Sequence, residues 1–349
     1  MTRILIVATS PNTRGGITSV LKAHKKGEQW KQYQCKWIVS HIDKGVVVKS
    51  ATTLVGLAKY LFLLPWANLV HIHLSEPTSA KRKKLFFKPA KWLGKKIVVH
   101  FHAFSPETTI NGSYSDLYSY LFSNADAVVV LSHYWKDAVN QKYNLGEKVK
   151  VIYNPCTTTD YIEKYEKTKS ILYAGTLNQR KGYADLLKAF AKIASLHPDW
   201  FIVFAGNGEM EKARELAKNL DIEKNVKLLG WVSGEQKDRV YKQATAFCLP
   251  SYAEGFPMAV LDALAYGLPV ITTPVGGIPD IAEDGKNFLL FPAGDIEKLS
   301  ECLEKIVSDE ALRANLAKES LHLAATTFNI DNINRQVGDL YAELLKERS

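Results

Sequence analysis

Twelve short apolar runs, six in each half of the chain, constrain the fold more than any other feature. In the first half they are RILIVA (3–8), CKWIV (35–39), LVHIHL (69–74), KIVVHF (96–101), AVVVL (127–131) and VKVIY (149–153). In the second half they are ILYAG (171–175), FIVFAG (201–206), VKLLG (226–230), AFCLP (246–250), PVITT (269–273) and FLLF (288–291). The runs are continuous rather than alternating, as strands of a parallel sheet must be when both faces are covered. Helical patterns separate them. In GYADLLKAFAKIASLH, residues Leu186, Leu187, Phe190, Ile193 and Ala194 fall on one stripe. The fold class is therefore α/β, read as two Rossmann-like domains facing a cleft, with ligand sites at the C-terminal ends of the strands.

With 349 residues the chain is long enough for two cores. The polar stretch TTTDYIEKYEKTKS (157–170) divides the two series and is the expected linker. The expected domains are 1–156 and 157–329. The last segment carries Ile330, Ile333, Val337, Leu340, Leu344 and Leu345 at helical spacing. It reads as an amphipathic helix over 330–349 that crosses back to dock on the first domain. Cys35, Cys156, Cys248 and Cys302 show no metal-ligand spacing, which fits a reduced compartment. The first apolar run is too short for a signal-peptide core. The window LVGLAKYLFLLPWANLVHIHL is interrupted by Lys59 and Pro65, so no membrane-spanning helix is expected. The expected location is cytoplasmic, with peripheral attachment to the inner face of the cell membrane.

The segment EGFPMAVLDALAYGLPVITT (254–273) places two carboxylates, Glu254 and Asp262, in a stretch otherwise built for a core. Pro257 suits the first turn of a helix, leaving the N–H groups of Phe256, Met258 and Ala259 at a positive dipole end that fits a diphosphate. The plain alternative is a dipole-favouring Glu254 and an exposed Asp262. AGTLNQRKGYADLLKAF (174–190) sets Arg180 and Lys181 in a strand-to-helix loop, which suits an anionic ligand or is merely a solvated basic loop. It is not a P-loop, because the glycine follows the lysine. In TSPNTRGGITSVLKAH (9–24), Gly15 and Gly16 open a helix where backbone can approach a phosphate or sugar, or form a tight turn without ligand. In VVHFHAFS (98–105), one of His100 and His102 is expected in sheet packing and the other toward the cleft. The histidines of HIHL (71–74) read as packing, and no metal is expected, since no cysteine or carboxylate cluster completes a shell.

AKRKKLFFKPAKWLGKK (80–96) surrounds Leu85, Phe86, Phe87, Trp92 and Leu93 with eight cations, and no acid occurs between Glu76 and Glu107. Cations flanking exposed aromatics mark a helix in an anionic membrane interface, here short or kinked at Pro89. An ordinary helix with a solvated basic face is the alternative. The net charge of +9 suits an anionic partner in either case.

Taken together, these segments resemble the family 4 glycosyltransferases, the large retaining group with the GT-B fold. AGTLNQRKG is similar to the family's phosphate-binding loop, and EGFPMAVLDALAYGLPVITTPVGGIPDIAEDGKNFLL to its E-x7-E region and the run that follows. SNADAVVVLSHYWKDAV and VIYNPC resemble the end of its N-terminal domain. The resemblance implies transfer of a hexose from a UDP- or GDP-linked donor to a glycan or polyprenyl-diphosphate-linked acceptor. It assigns donor-sugar hydroxyls to Glu254, phosphate to Lys181, ribose to Asp262, and sugar and diphosphate to the backbone of Phe256, Met258 and Ala259. Gly15 and Gly16 would close over the donor, and His102 would lie near the reacting centre.

Two positions depart from the family pattern. Asp262 stands where a longer glutamate is usual, and Thr176 where an arginine is usual, with Arg180 the proposed substitute. No D-x-D pair occurs, so neither metal nor other cofactor is expected. A sugar-nucleotide epimerase of the same fold is the rival enzyme. A NAD-dependent oxidoreductase is disfavoured because AGNGEMEKA lacks the third fingerprint glycine. A nucleic-acid-binding module is suggested by charge alone, and no nucleic-acid partner is expected.

Overall fold

The computed structural model describes residues 2–156 and 166–346. The first six strands are β1 (Ile4–Thr9), β2 (Lys36–His41), β3 (Leu69–Leu74), β4 (Lys96–Phe101), β5 (Ala127–Val130) and β6 (Val149–Val151). They form one parallel sheet in the order β2-β1-β3-β4-β5-β6. The next six are β7 (Ser170–Ala174), β8 (Phe201–Ala205), β9 (Val226–Gly230), β10 (Ala246–Leu249), β11 (Val270–Thr272) and β12 (Leu289–Leu290). Their sheet, also parallel, has the order β12-β11-β10-β7-β8-β9. Every residue of β1, β3, β7 and β10 is buried, which is why these runs are mostly apolar rather than alternating. In each sheet the winding reverses beside the first strand, between β1 and β3 and between β7 and β10. Such switch points are where open α/β sheets hold ligands.

The chain divides into two compact units, Met1–Pro155 with Ile330–Ser349, and Cys156–Asn329. The terminal helix Ile330–Lys346 buries Ile333, Val337, Leu340, Tyr341 and Leu344 against Ile4, Ile6, Leu69 and Val98 of the first sheet. Each such aliphatic side chain contributes roughly 1.5–3 kcal/mol. The second unit holds Cys156, whose N–H donates to the Phe328 carbonyl at 2.8 Å. Of the expected linker, residues 157–165 lie outside the described residues.

The basic segment differs from expectation. Its helix, Pro77–Trp92, runs on through Pro89. Pro89 stands in the last turn, so its missing N–H costs the helix a single bond, the one to the Leu85 carbonyl. Phe86 and Phe87 are fully buried, against Tyr60 and Tyr120, and Lys83 is buried as well. Trp92 is the aromatic that stays exposed. A neighbouring helix, Val46–Leu63, buries only Gly56 and Tyr60. Gly56 lies against β2, where a Cβ would fall 1.9 Å from the Val39 carbonyl oxygen. Leu54, Val55, Phe62 and Trp66 lie largely in solvent. By length and composition the stretch Val46–Trp66 is apolar enough to cross a membrane, contrary to the expectation drawn from the window that starts at Leu54. Starting the helix at Val46 adds three valines and leaves out the strand beyond Pro65.

Candidate active site

At the second switch point two loops meet, one leaving β7 and one leaving β10. In the first, the Asn178 side chain accepts the Lys181 N–H at 3.0 Å and fixes a short turn, Gln179–Lys181. Gly182 follows with φ 67°, and a Cβ there would lie 2.0 Å from the Pro250 carbonyl oxygen, so only glycine lets the loops touch. The Tyr252 N–H donates to the Arg180 carbonyl at 2.7 Å, and the Arg180 guanidinium to the Ala253 carbonyl at 2.6 Å.

These contacts bring Arg180 and Lys181 to Glu254. The Lys181 ammonium forms an ion pair with one Glu254 oxygen, which also accepts the Ser251 hydroxyl at 2.7 Å. Arg180 stands 3.6 Å from the other oxygen. Glu254 is buried, and its backbone is pressed from behind by Gly276, where a Cβ would fall 2.2 Å from the Glu254 carbonyl oxygen. Two cations thus share one carboxylate, so this group of three carries a net positive charge of one. That surplus is suited to an anion.

The next helix is Met258–Ala265, with Pro257 as its N-cap rather than its first residue. Pro257 has extended backbone, and its carbonyl takes the N–H groups of Val260 and Leu261 at 3.0 and 3.3 Å. The N–H groups of Met258 and Ala259 remain at the helix start, without a carbonyl partner among the described residues. Phe256 is not on the helix; it is buried against Phe328. Asp262 is not exposed either. It pairs with Lys237 at 2.7 Å, on the helix Glu235–Gln243. Burial raises its carboxyl pKa, and Lys237 opposes that rise. Nothing in EQKDRVYKQ distinguishes Lys237 from any solvated helical lysine.

In the first unit, Gly15 (φ 136°) opens the helix Gly16–His24 at the end of β1. His71, His73, His100 and His102 form one stack, with ring centroids 4.5 Å apart for His71–His73, 4.7 Å for His73–His100 and 4.3 Å for His100–His102. His100 is buried and His102 half-buried at the end of β4, on one face because residues two apart on an extended strand share a face. The His71 ring is fixed by the Tyr341 hydroxyl at 2.6 Å, and His73 meets His102 at 2.9 Å. Ring nitrogens of His71, His73 and His100 come within 4.8 Å of one another. The His71 and His100 planes are 8° from parallel, and the His73 plane is 23° and 29° from them. Desolvation, with His24 adding to it, pushes His102 down to about 3. His102 is therefore a neutral hydrogen-bonding group near pH 7.

The family described as "Glycosyltransferase Family 4" matches residues 20–160, and "Glycosyl transferases group 1" matches residues 159–322. The chain belongs to the family 4 glycosyltransferases. It is 29% identical over 215 residues to an uncharacterized glycosyltransferase of Haemophilus influenzae, 60% of each chain. It is also 29% identical over 204 residues to the GalNAc-alpha-(1->4)-GalNAc-alpha-(1->3)-diNAcBac-PP-undecaprenol alpha-1,4-N-acetyl-D-galactosaminyltransferase of Campylobacter jejuni, 57% of this chain and 55% of that one. The chain thus spans less than two thirds of the length of either relative. The crystal structure of Anabaena HepE in complex with UDP-glucose matches with a TM-score of 0.77 at 19% identity, covering 98% of this chain and 100% of that one. At that identity the likeness is one of fold, and the fold is GT-B.

Proposed function

We propose that the chain is a retaining, metal-independent hexosyltransferase that moves a sugar from a UDP- or GDP-linked donor to a glycan or polyprenyl-diphosphate-linked acceptor. Its setting is cell-surface polysaccharide or lipid-linked oligosaccharide assembly on the cytoplasmic side of the membrane. The observation that carries the reading is the net-positive group of Lys181 and Arg180 around the buried Glu254 at the β7–β10 switch point. The UDP-glucose complex of HepE and the undecaprenol-linked acceptor in the Campylobacter name support it.

In this mechanism the donor diphosphate takes the N–H groups of Met258 and Ala259 and the charge of Lys181 and Arg180. Lys181 then leaves Glu254, whose oxygens become free to accept from donor-sugar hydroxyls beside Phe256. Asp262 takes the ribose, held in line by Lys237. An acceptor hydroxyl bonds to the anomeric carbon as the bond to the diphosphate oxygen breaks. Its proton passes to the leaving phosphate on the same face, with no covalent enzyme intermediate. Negative charge grows on the diphosphate during this step, where fixed cations and N–H groups stabilise it, each such donor being worth about 10²–10³ in rate. From the first unit we assign to Gly15 and Gly16 a phosphate- or sugar-facing backbone, and to neutral His102 a hydrogen bond near the reacting centre.

The Val46–Leu63 helix, whose exposed side is apolar, packs on the basic Pro77–Trp92 helix, where the Tyr60 hydroxyl donates to the Phe86 carbonyl at 2.7 Å. We assign to this surface peripheral binding to an anionic membrane. Vesicles rich in phosphatidylglycerol should co-sediment the chain at low salt, and Phe62→Ser with Trp66→Ser should weaken this; no sedimentation ends the membrane reading. The reaction itself is tested by thermal shift across UDP-, GDP- and ADP-sugars. One of the first two should stabilise the wild type and not Lys181→Met. Stabilisation by none of them would overturn the proposal.

A further inference from the structure

We propose that the first unit carries an anion site of its own, at the ends of β1 and β3, that holds a phosphate group of the acceptor. This deepens the glycosyltransferase reading and rests on it. A cavity of about 260 Å³ opens there, bordered by Thr9, Arg14, the start of the helix Gly16–His24, and Lys83.

Lys83 is the group that needs explaining. It is 1% exposed, and its ammonium donates to the Ser40 hydroxyl oxygen. No carboxylate lies within ion-pair distance of it among the described residues. The acid on the cavity wall, Asp43, pairs instead with Lys49 at 3.2 Å. Ser40 donates its own proton to the Ala8 carbonyl at 2.8 Å, so toward Lys83 it can only accept. That leaves two ammonium N–H groups for a ligand. Burying a cation without a counter-ion is unfavourable, and a bound anion would offset that cost. Burial, with Arg82 adding to it, pushes Lys83 down to about 7, so an anion there would also restore its charge.

A second group is unsatisfied in the same wall. The Thr9 hydroxyl oxygen is buried and has no hydrogen-bond partner among the described residues, although the residue is only 8% exposed. Beside it, the N–H groups of Gly16, Ile17 and Thr18 take no carbonyl among the described residues; the first helical bond runs from the Ser19 N–H to the Gly15 carbonyl at 3.3 Å. With Gly16 left to the donor, the wall offers an ammonium, a hydroxyl and the N–H groups of Ile17 and Thr18. Donors on several sides of one space match a tetrahedral oxyanion. Nothing local in the sequence marks Lys83, which sits among seven other cations of a surface-like run. The phosphate could arrive on a water-soluble sugar phosphate or on a polyprenyl diphosphate, and the same donors would take either.

The test uses the full chain saturated with UDP, so that the Lys181 pocket is filled. Inorganic phosphate, glycerol 3-phosphate and farnesyl diphosphate are titrated calorimetrically. At least one should bind the wild type, and bind tenfold or more weakly to both Lys83→Met and Thr9→Val. UDP affinity should not change in either variant, and melting should stay at or above the wild type in Lys83→Met. Tighter binding of farnesyl diphosphate than of glycerol 3-phosphate assigns the phosphate to a lipid-linked acceptor, and the reverse order to a soluble one; both support the site. Equal binding by wild type and both variants overturns it, as does binding of no probe. If Lys83→Met fails to fold, the near-isosteric Thr9→Val decides alone. Loss of UDP binding in the wild type with phosphate binding intact would sink the donor assignment and leave this site standing.

Discussion

Replacing Glu254 by glutamine separates the two roles of its carboxylate. In the unliganded chain it neutralises Lys181 and partly Arg180; in the donor complex it accepts from sugar hydroxyls. The Glu254 and Lys181 side chains are 8% and 14% exposed, so the pair is a buried one. Breaking such a pair costs about 3–5 kcal/mol, and the low end applies because the glutamine amide can keep the Ser251 contact. For a unit of the size of Cys156–Asn329, about 3 kcal/mol lowers Tm by about 6–12 °C. UDP should reverse much of that loss. In the wild type the diphosphate competes with Glu254 for Lys181, whereas in Glu254→Gln the cations stand unpaired. The variant should therefore bind UDP more tightly than the wild type while transferring sugar far more slowly. Scanning calorimetry of both proteins, with and without UDP, reads both effects. A variant that melts with the wild type, or binds UDP more weakly, would refute the reasoning.

Acid should destabilise the first unit through its histidines. His102 titrates at about 3 in the fold against 6.5 in the unfolded chain, so the unfolded state binds the extra proton between those values. Stability is then lost as pH falls from 6.5 toward 3, by about 1.4 kcal/mol per pH unit for His102 alone. Burial shifts His24, His71, His73 and His100 the same way. A urea midpoint for this unit that is the same at pH 7.5 as at pH 5 would contradict the account. Lys237→Met strands the Asp262 carboxylate in a buried position and should cost about 3 kcal/mol, with Asp262→Asn added to it recovering part of the loss. Denaturant melts of the single and double variants check this, and additive losses would exclude the pairing.

All twelve strands were legible in the sequence, and their ends fall within two residues of the apolar runs. A buried parallel strand announces itself locally, because most residues in it are apolar on both faces. The loops around Lys181 and Glu254 were legible for a related reason, since glycines and prolines fix where strands stop. The pairing of those two residues was not, because they lie 73 positions apart and no local pattern encodes a partner. Lys237 and Lys83 were invisible for the same reason: a lysine paired across the fold and a lysine in water spell the same letter. Phe86 and Phe87 were misjudged because a basic run says nothing of which side of its helix faces the sheet. The histidine stack was readable in principle, from the period of two along β3 and β4.

The most direct test of the central claim is donor turnover by wild type and Lys181→Met, read as release of nucleoside diphosphate from the nucleotide sugar that best stabilises the chain. Lys181 carries charge to the leaving diphosphate in this account, so the variant should lose about 10²-fold or more in kcat while keeping its native circular dichroism, with Tm lowered by about 6–12 °C through loss of the Glu254 pair. Near wild-type turnover in a folded Lys181→Met protein would contradict the assignment of this pocket to the leaving group.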